Sequence, residues 1–208
     1  MNDCSSPFEI ILFDVAGVLV EFKGSRRLLE LADGEVTREK ARAFQRVTMP
    51  WVRKLESGAC SISEFARGHL EDWPSGLTPE GLIEELESWP LRLYPGAIEL
   101  LDSLQGRHRL GCLSNTNPIH WPLQRDGMGL GGYFSRQYVS YEIGGVKPDT
   151  AVFEHVIEDL ACDPGLILFL DDRAENVEAA VAAGMEARKV KAIDETRAAL
   201  DALGLLET

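Results

Sequence analysis

Short apolar runs alternate with amphipathic helical patterns along most of the chain. Five runs have the length and composition of buried strands: Phe8–Phe13, Leu110–Leu113, Tyr138–Ser140, Ile167–Leu170 and Ala187–Val190. Between them, apolar residues recur at helical spacing in segments that begin near Ala97, Phe153 and Val177. Apolar strands separated by helices are typical of a parallel sheet with helices on both faces. The pattern therefore predicts an α/β core.

One long segment departs from this alternation. From about residue 26 to about residue 89 the apolar residues follow helical spacing, and no run there has the character of a strand. One helical stripe includes Phe44 and Leu55, with Pro50 inside it. A later helix is expected to begin at Thr78, because a Thr followed by Pro is a favourable helix start. We therefore expect a small helical insertion between the first and second strands of the core.

The charge composition argues against some classes of binding partner. The 208 residues include 21 Lys and Arg against 34 Asp and Glu, a formal net charge of −13. This charge argues against nucleic-acid binding, which depends on Lys and Arg at phosphates, and against docking on an anionic membrane. A small anionic substrate stays compatible, because it needs only a few local cations. The oligomeric state is left open.

The N-terminal segment and the cysteines indicate the cellular compartment of the protein. The N-terminal segment has no basic region, and its apolar run is too short for a signal peptide or a membrane span. The cysteines Cys4, Cys60, Cys112 and Cys162 form no CxxC pair. Scattered cysteines without a signal sequence suggest reduced thiols, so we expect a cytoplasmic protein.

Residues with reactive side chains follow the predicted strands, at the ends where ligands bind in parallel α/β sheets. Asp14 follows the first strand, Ser114 begins a Ser-Asn-Thr-Asn run after the second, and the pair Asp171-Asp172 follows the fourth. Lys147 lies in a Gly-Gly-Val-Lys-Pro turn before a helix. Taken singly, each has an ordinary explanation as a turn, a helix N-cap or a surface lysine. Two adjacent carboxylates repel each other, however, and a hard cation such as Mg²⁺ relieves that repulsion.

In their order along the chain, these four motifs resemble those of the haloacid dehalogenase superfamily. The resemblance is closest to bacterial phosphatases of the α-D-glucose-1-phosphate phosphatase type, which have similar Ser-Asn-Thr-Asn, Gly-x-x-Lys-Pro and Phe-Phe/Leu-Asp-Asp runs. The segment that starts at Glu56-Ser-Gly58 also resembles the helical cap of that group. The resemblance implies a Rossmann-like core, residues 1–22 and 92–208, with a small helical cap, residues 23–91, inserted after the first strand.

The resemblance also implies a role for each motif. Asp14 would attack phosphorus and form an aspartyl-phosphate. Ser114 and the backbone of Asn115 would hold the phosphoryl oxygens. Lys147 would neutralise charge on the phosphate and on the nucleophile, and we expect it to have no role in the core.

The same resemblance implies a Mg²⁺ ion as cofactor. Its ligands would be Asp14, Asp172 and the backbone carbonyl of Ala16, with Asp171 in support, directly or through water. The expected function is Mg²⁺-dependent hydrolysis of a small phosphorylated metabolite, with sugar phosphates among the candidates. Phosphoryl transfer requires alignment and charge neutralisation above all, and these residues would supply both.

Position 16 departs from the superfamily pattern. Most of its phosphatases have an Asp there, which protonates the leaving group and then activates water, and Ala16 can do neither. Four explanations stay open: a phosphatase lineage that works without this Asp, a weak or inactive phosphate-binding relative, a 2-haloacid dehalogenase, and an engineered substitution. The phosphatase is favoured over the dehalogenase, because dehalogenases use no metal and lack a pair like Asp171-Asp172.

The alanine also leads to a kinetic expectation. We expect the protein to be slow on alkyl phosphates and faster on esters with good leaving groups, because without an acid at position 16 the leaving oxygen departs less protonated and its pKa controls the rate strongly. A flat dependence would mean that another residue supplies the proton. The place to look would then be the cap, with an acidic residue near Glu21 as a candidate.

Overall fold

The computed structural model describes residues 7–24, 27, 29, 30 and 37–206. These residues form seven strands: β1 (Ile10–Phe13), β2 (Val20–Phe22), β3 (Pro90–Leu93), β4 (Leu110–Ser114), β5 (Arg136–Val139), β6 (Ile167–Asp171) and β7 (Glu186–Lys189). Five of them form one parallel sheet in the order β5-β4-β1-β6-β7. The five predicted strands are confirmed, with small shifts at their ends.

Helices connect these strands. Those in the described residues are α1 (Arg38–Glu56), α2 (Ile62–Asp72), α3 (Pro79–Glu87), α4 (Ala97–Leu104), α5 (His120–Pro122), α6 (Ser140–Ile143), α7 (Thr150–Leu160), α8 (Ala174–Ala182) and α9 (Ala192–Ala202). Shorter π and 3-10 segments are Leu123–Gly127, Leu130–Gly132 and Pro164–Leu166. The three helices predicted in the core, α4, α7 and α8, are confirmed.

The central strand β1 shows why its sequence is apolar throughout. Ile11 and Phe13 pack into the cluster on one face of the sheet, and Ile10 and Leu12 pack into the cluster on the other. All four side chains are fully buried. A strand covered by helices on both faces has no solvent-facing positions, so it loses the polar alternation of a one-sided sheet.

The three helices α1, α2 and α3 form the cap and share their own apolar cluster, which includes Phe44, Leu55, Phe65 and Leu82. Each begins at a side-chain N-cap, and the hydroxyl of Thr78 accepts the N–H of Gly81 at 3.1 Å, as the sequence predicts. Helix α1 continues through Pro50. The α/β core with an inserted helical cap is therefore confirmed, while the exact domain boundaries stay a prediction.

The pairing of β2 with β3 is a feature that the sequence analysis missed. These strands form an antiparallel pair, with Val20 opposite Leu93, at the two ends of the segment that contains the cap. Each has only three or four residues. Strands this short carry too few residues to show a period of two, so their pairing is visible only in three dimensions.

Two further expectations concern the chain as a whole. Cys60, Cys112 and Cys162 are free thiols, and Cys4 lies outside the described residues. Within the described ranges, none of the helices has both the length and the apolar character needed to cross a bilayer. The cytoplasmic location stays a prediction.

Candidate active site

The order of the strands brings the predicted motifs to one edge of the sheet. Strand β1 lies between β4 and β6, and all three run in the same direction. Asp14 directly follows β1, Ser114 is the last residue of β4 and Asp171 is the last residue of β6. Their side chains therefore meet at the carboxyl edge, although they are far apart in sequence.

Lys147 lies at the centre of this edge. Its Nζ is 3.0 Å from Oδ1 of Asp14, and it donates hydrogen bonds to Oδ2 of Asp171 at 2.6 Å and to the carbonyl of Leu113 at 2.7 Å. The Lys147 side chain is 1% exposed. The expectation that Lys147 has no role in the core is wrong, because this buried ammonium joins β1, β4 and β6.

The side chain of Asn115 fixes the turn that carries Lys147. Its Oδ1 accepts the backbone N–H of Lys147 at 2.8 Å, and its Nδ2 donates to the backbone carbonyl of Lys147 at 2.9 Å. This two-point contact ties the loop after β4 to the Gly-Gly-Val-Lys-Pro turn. The sequence analysis assigned only the backbone of Asn115 to the site, so this use of its side chain was missed.

Asp171 and Asp172 lie in different surroundings although they are adjacent. Asp171 is fully buried, and its carboxylate accepts hydrogen bonds from Lys147, from Nδ2 of Asn176 and from the backbone N–H of Arg173. Asp172 is only partly buried and lines a cavity. Asp171 therefore stabilises the residues around the site through its hydrogen bonds, and Asp172 presents its carboxylate to the cavity.

The three carboxylates converge as a cation site requires. One oxygen each of Asp14, Asp171 and Asp172 lies within 4.8 Å of the others. Gly17 makes room beside them, because a Cβ at this left-handed residue would lie 2.5 Å from Oδ2 of Asp172. Carboxylate oxygens together with a backbone carbonyl are the donors that Mg²⁺ prefers. The residues present therefore fit a Mg²⁺ ion.

Burial and charge shift the pKa values of these groups. Burial raises the pKa of the Asp14 carboxyl to about 6, against the opposing charge of Lys147 and with a further increase from Asp171. Burial acts to lower the pKa of Lys147, but the charges of Asp14 and Asp171 outweigh it and raise that pKa. The pKa of Asp172 is raised by burial and by the charge of Asp171. Bringing a cation to this edge therefore favours the ionised carboxylates.

Two hydroxyl groups, at the end of β4 and in the loop after it, have no partner among the residues that the structure describes. The Oγ atom of Ser114 and the Oγ1 atom of Thr116 are buried, and neither makes a hydrogen bond to any residue that the structure describes. Thr116 lines the cavity, whereas Ser114 lies beneath it. A buried hydroxyl without a partner is costly, so both are candidates to donate to ligand oxygens.

The cavity above this edge has a volume of about 320 Å³ and lies between the core and the cap. Its core side includes Asp14, Ala16, Asn115, Lys147 and Asp172. Its cap side includes Met49, Val52 and Glu56. From the sequence, Glu56 was assigned only to the cap and not to the site. Glu56 lines the cavity because of the way the cap packs on the core, and no local sequence pattern predicts that packing.

Aromatic side chains close one wall of the cavity. Phe22 and Trp89 both contact the ring of His120, with ring centroids 5.0 Å and 5.9 Å away. The Nδ1 atom of His120 is 2.9 Å from Nδ2 of Asn117, and its Nε2 atom is 2.9 Å from the carbonyl of Leu86. Burial lowers the pKa of His120 to about 4, so this ring is a neutral part of the wall.

Comparison with known proteins agrees with this geometry. The family model described as haloacid dehalogenase-like hydrolase matches residues 8–184. The chain is 27% identical over 190 residues to the D-ribitol-5-phosphate phosphatase of Bacteroides thetaiotaomicron, which covers 85% of this chain and 88% of that protein. It is 26% identical over 175 residues to the pyrimidine 5′-nucleotidase YjjG of Escherichia coli, covering 80% of this chain and 78% of that one.

A solved structure is similar over nearly the same extent. A HAD family enzyme of Bacteroides thetaiotaomicron, solved in complex with magnesium and inorganic phosphate, is 25% identical with a TM-score of 0.71. The match covers 88% of this chain and 94% of that one. The likeness in sequence and in fold therefore extends over the core and the cap together.

Proposed function

This chain belongs to the haloacid dehalogenase-like hydrolases, and we propose that it hydrolyses a small phosphorylated metabolite through an aspartyl-phosphate formed on Asp14. It is a phosphoric monoester hydrolase of the Mg²⁺-using phosphatases of this family. The observation that carries the proposed mechanism is the contact of the buried Lys147 with Asp14, two residues that both line the cavity. A buried cation beside a buried carboxylate keeps that carboxylate ionised and steers an anionic group toward it.

The residues of the site divide the work of phosphoryl transfer. An oxygen of Asp14 attacks phosphorus, and the bond from phosphorus to the leaving oxygen breaks. Lys147 balances the charge that gathers on Asp14 and on the phosphoryl group. The hydroxyl of Ser114 and the backbone N–H of Asn115 hold the phosphoryl oxygens, which would give the unpaired Ser114 hydroxyl an acceptor. Water then attacks the aspartyl-phosphate and restores Asp14.

The metal would be held at the same edge. Asp14, Asp172 and the backbone carbonyl of Ala16 would be its ligands, and Asp171 would act in support by holding Lys147 in place. Bound Mg²⁺ supplies positive charge next to the phosphoryl oxygens and the nucleophile. In a chain with a net charge of −13, this local charge is what makes the site attractive to a phosphate.

The cavity favours a substrate of sugar-phosphate size. Its volume of about 320 Å³ lies at the lower end of the usual range for small-molecule sites. Trp89 and Phe22 offer aromatic faces to the less polar side of a sugar or sugar alcohol, while Gln124 and Arg173 offer donors to hydroxyl or phosphate oxygens. The relative named D-ribitol-5-phosphate phosphatase supports the same substrate class.

A panel of phosphorylated metabolites, assayed for phosphate release with Mg²⁺ and with a chelator, tests this proposal. Hydrolysis should require Mg²⁺ and should disappear in Asp14→Asn, which keeps the shape of the side chain. Acid quenching during turnover should trap a phosphorylated wild-type enzyme. Chloride release from 2-chloropropionate without phosphatase activity would instead favour the dehalogenase.

A further inference from the structure

Glu56 is the only cap carboxylate among the described residues that line the active-site cavity. It is the last residue of α1 and lines the same cavity as Asp14 and Ala16. Its side chain is partly buried. Among the described residues, no hydrogen-bond donor or ion-pair partner contacts the carboxylate of Glu56. A carboxylate placed in an active site without a structural partner is available for a reacting group.

Two contacts hold this end of the cap on the core. Arg53, one helical turn before Glu56, forms an ion pair with Asp149 of the core. Gly58, two residues after Glu56, packs so closely on the backbone carbonyl of Tyr141 that a Cβ there would overlap it. Gly58 is also in the left-handed region, with φ +69°. Glu56 therefore lies between two anchored residues, which fixes it over the cavity.

The environment of Glu56 suits proton transfer. Burial raises the pKa of its carboxyl to about 7, with Arg173, Lys147 and Arg53 opposing the increase and Asp14 adding to it. A general acid works best when its pKa is near the working pH, because both of its forms are then available. At neutral pH, Glu56 can therefore hold a proton and also release it.

The other candidates near the cavity do not have this combination. His120 is neutral, and both of its ring nitrogens are in contact with Asn117 or Leu86. Glu21, near which the sequence analysis would look for an acid, accepts a hydrogen bond from Arg92 at 2.9 Å and does not line the cavity. Ala16 has no proton to give.

We propose that Glu56 is the general acid and base of this enzyme, acting from the cap in place of the carboxylate that position 16 lacks. The inference rests on the proposed phosphatase function. In the first half-reaction the Asp14 oxygen bonds to phosphorus, the bond to the leaving oxygen breaks, and that oxygen takes the proton of Glu56. In the second, the Glu56 carboxylate takes a proton from water as the water oxygen bonds to phosphorus and the Asp14–phosphorus bond breaks.

The test compares kcat/KM over a series of aryl and alkyl phosphates for wild type, Glu56→Gln and the control Glu39→Gln. Glu39 is exposed in the first turn of the same helix, so the control makes the same chemical change away from the cavity. Wild type and control should depend only weakly on leaving-group pKa, which is the opposite of the expectation drawn from Ala16 alone. Glu56→Gln should lose about 10²-fold or more on alkyl phosphates and less than about tenfold on p-nitrophenyl phosphate.

Three further readouts separate a catalytic role from a structural one. With p-nitrophenyl phosphate, Glu56→Gln should show a burst of p-nitrophenolate equal to the enzyme concentration, because the second half-reaction lacks its base. The decline of kcat/KM for alkyl phosphates with rising pH, caused by loss of the proton of the acid, should be present in wild type and absent in Glu56→Gln. Ala16→Asp should restore alkyl phosphate hydrolysis in the Glu56→Gln background, and Glu56→Asp should retain part of it.

The outcomes distinguish this inference from the proposed function. Suppose that wild type hydrolyses phosphate esters and that Glu56→Gln is folded and binds vanadate normally. If Glu56→Gln then shows the wild-type dependence of kcat/KM on leaving-group pKa and no burst, Glu56 is not the acid. A steep dependence of kcat/KM on leaving-group pKa in wild type also overturns the inference, because it shows that no acid protonates the leaving group. If wild type releases phosphate from no ester, the proposed function fails, and the inference fails with it.

Discussion

Lys147, on the core side of the cavity, has three acceptors within hydrogen-bond distance, whereas Glu56, on the cap side, has no polar partner among the described residues. Asp171 is likewise saturated by Lys147, Asn176 and the backbone of Arg173. Across the cavity, Met49 is 41% exposed. The core side is therefore fixed by a polar network that includes its reactive groups, whereas Glu56 is held only through the contacts of its neighbours Arg53 and Gly58 with the core.

The difference between the core side and the cap side corresponds to two tasks in catalysis, which are charge stabilisation and contact with the leaving group. Charge balance at a reacting phosphorus needs groups that do not move, because electrostatic stabilisation depends on donors that are already oriented. Substrate choice and proton delivery need groups that contact a variable leaving group, and a cap that closes over the substrate can supply them. The difference between the two sides predicts what four changes to the protein should do.

Removing the nucleophile should have the largest effect. Asp14→Asn should lower phosphate release by at least about 10³-fold, because an amide does not form the phosphorylated intermediate. The measurement is phosphate release with Mg²⁺, together with acid quenching to detect the phosphorylated enzyme. Hydrolysis within tenfold of wild type would remove Asp14 from the mechanism.

Removing the buried cation should damage both the fold and the site. Lys147→Met leaves Asp14 and Asp171 as buried carboxylates without their partner, and breaking such a pair costs about 3–5 kcal/mol of unfolding free energy. Urea denaturation should show this loss, and vanadate affinity should fall. Lys54→Met, at an exposed cap lysine that lies over the Trp51 ring, is the matched control and should change little. Equal stability of the two variants would contradict the structural role of Lys147.

The two adjacent aspartates should respond differently to the same change. Asp172→Asn should weaken Mg²⁺ binding by roughly tenfold or more in calorimetry and leave stability nearly unchanged, because its carboxylate faces the cavity. Asp171→Asn should lower the urea midpoint, because it removes an acceptor of Lys147. No divalent-ion binding by wild type at millimolar Mg²⁺ would remove the metal from this edge.

Acid should destabilise the cap through one buried histidine. His69 is fully buried in the cap beside Phe65, with neither ring nitrogen bonded to a described residue, and burial lowers its pKa to about 4 against the charge of Asp72. In the unfolded chain His69 takes up a proton near pH 6.5, so the unfolded state binds more protons between pH 6.5 and 4. Cap stability should therefore fall as pH falls through this window.

Hydrogen exchange of cap and core amides as a function of pH measures this effect. His69→Leu, which cannot bind a proton, should remove part of the acid dependence in the cap. The exposed His155 gives the control variant His155→Gln, which should leave the dependence as it is. An acid dependence in the cap that His69→Leu leaves unchanged would show that His69 does not cause it.

Much of the core side could be predicted from the sequence. The strands before Asp14, Ser114 and Asp171 are apolar runs, and the rule that ligands bind at the carboxyl ends of parallel strands places all three residues at one edge. The burial of Lys147 could not be predicted, because its partners come from β1, β4 and β6. A turn lysine has the same local sequence whether it faces solvent or a carboxylate.

Local patterns were enough to predict the alternation of strands and helices, the helical insertion and the motifs at the strand ends, because these depend on apolar periodicity and on residue type within a few positions. Which groups line the two sides of the cavity became visible only in the folded protein. The position of Glu56 in the same cavity as Asp14 depends on Gly58 packing against Tyr141 and on Arg53 pairing with Asp149. Such contacts join residues from separate parts of the chain, and their energy depends on shape and burial that no local pattern encodes.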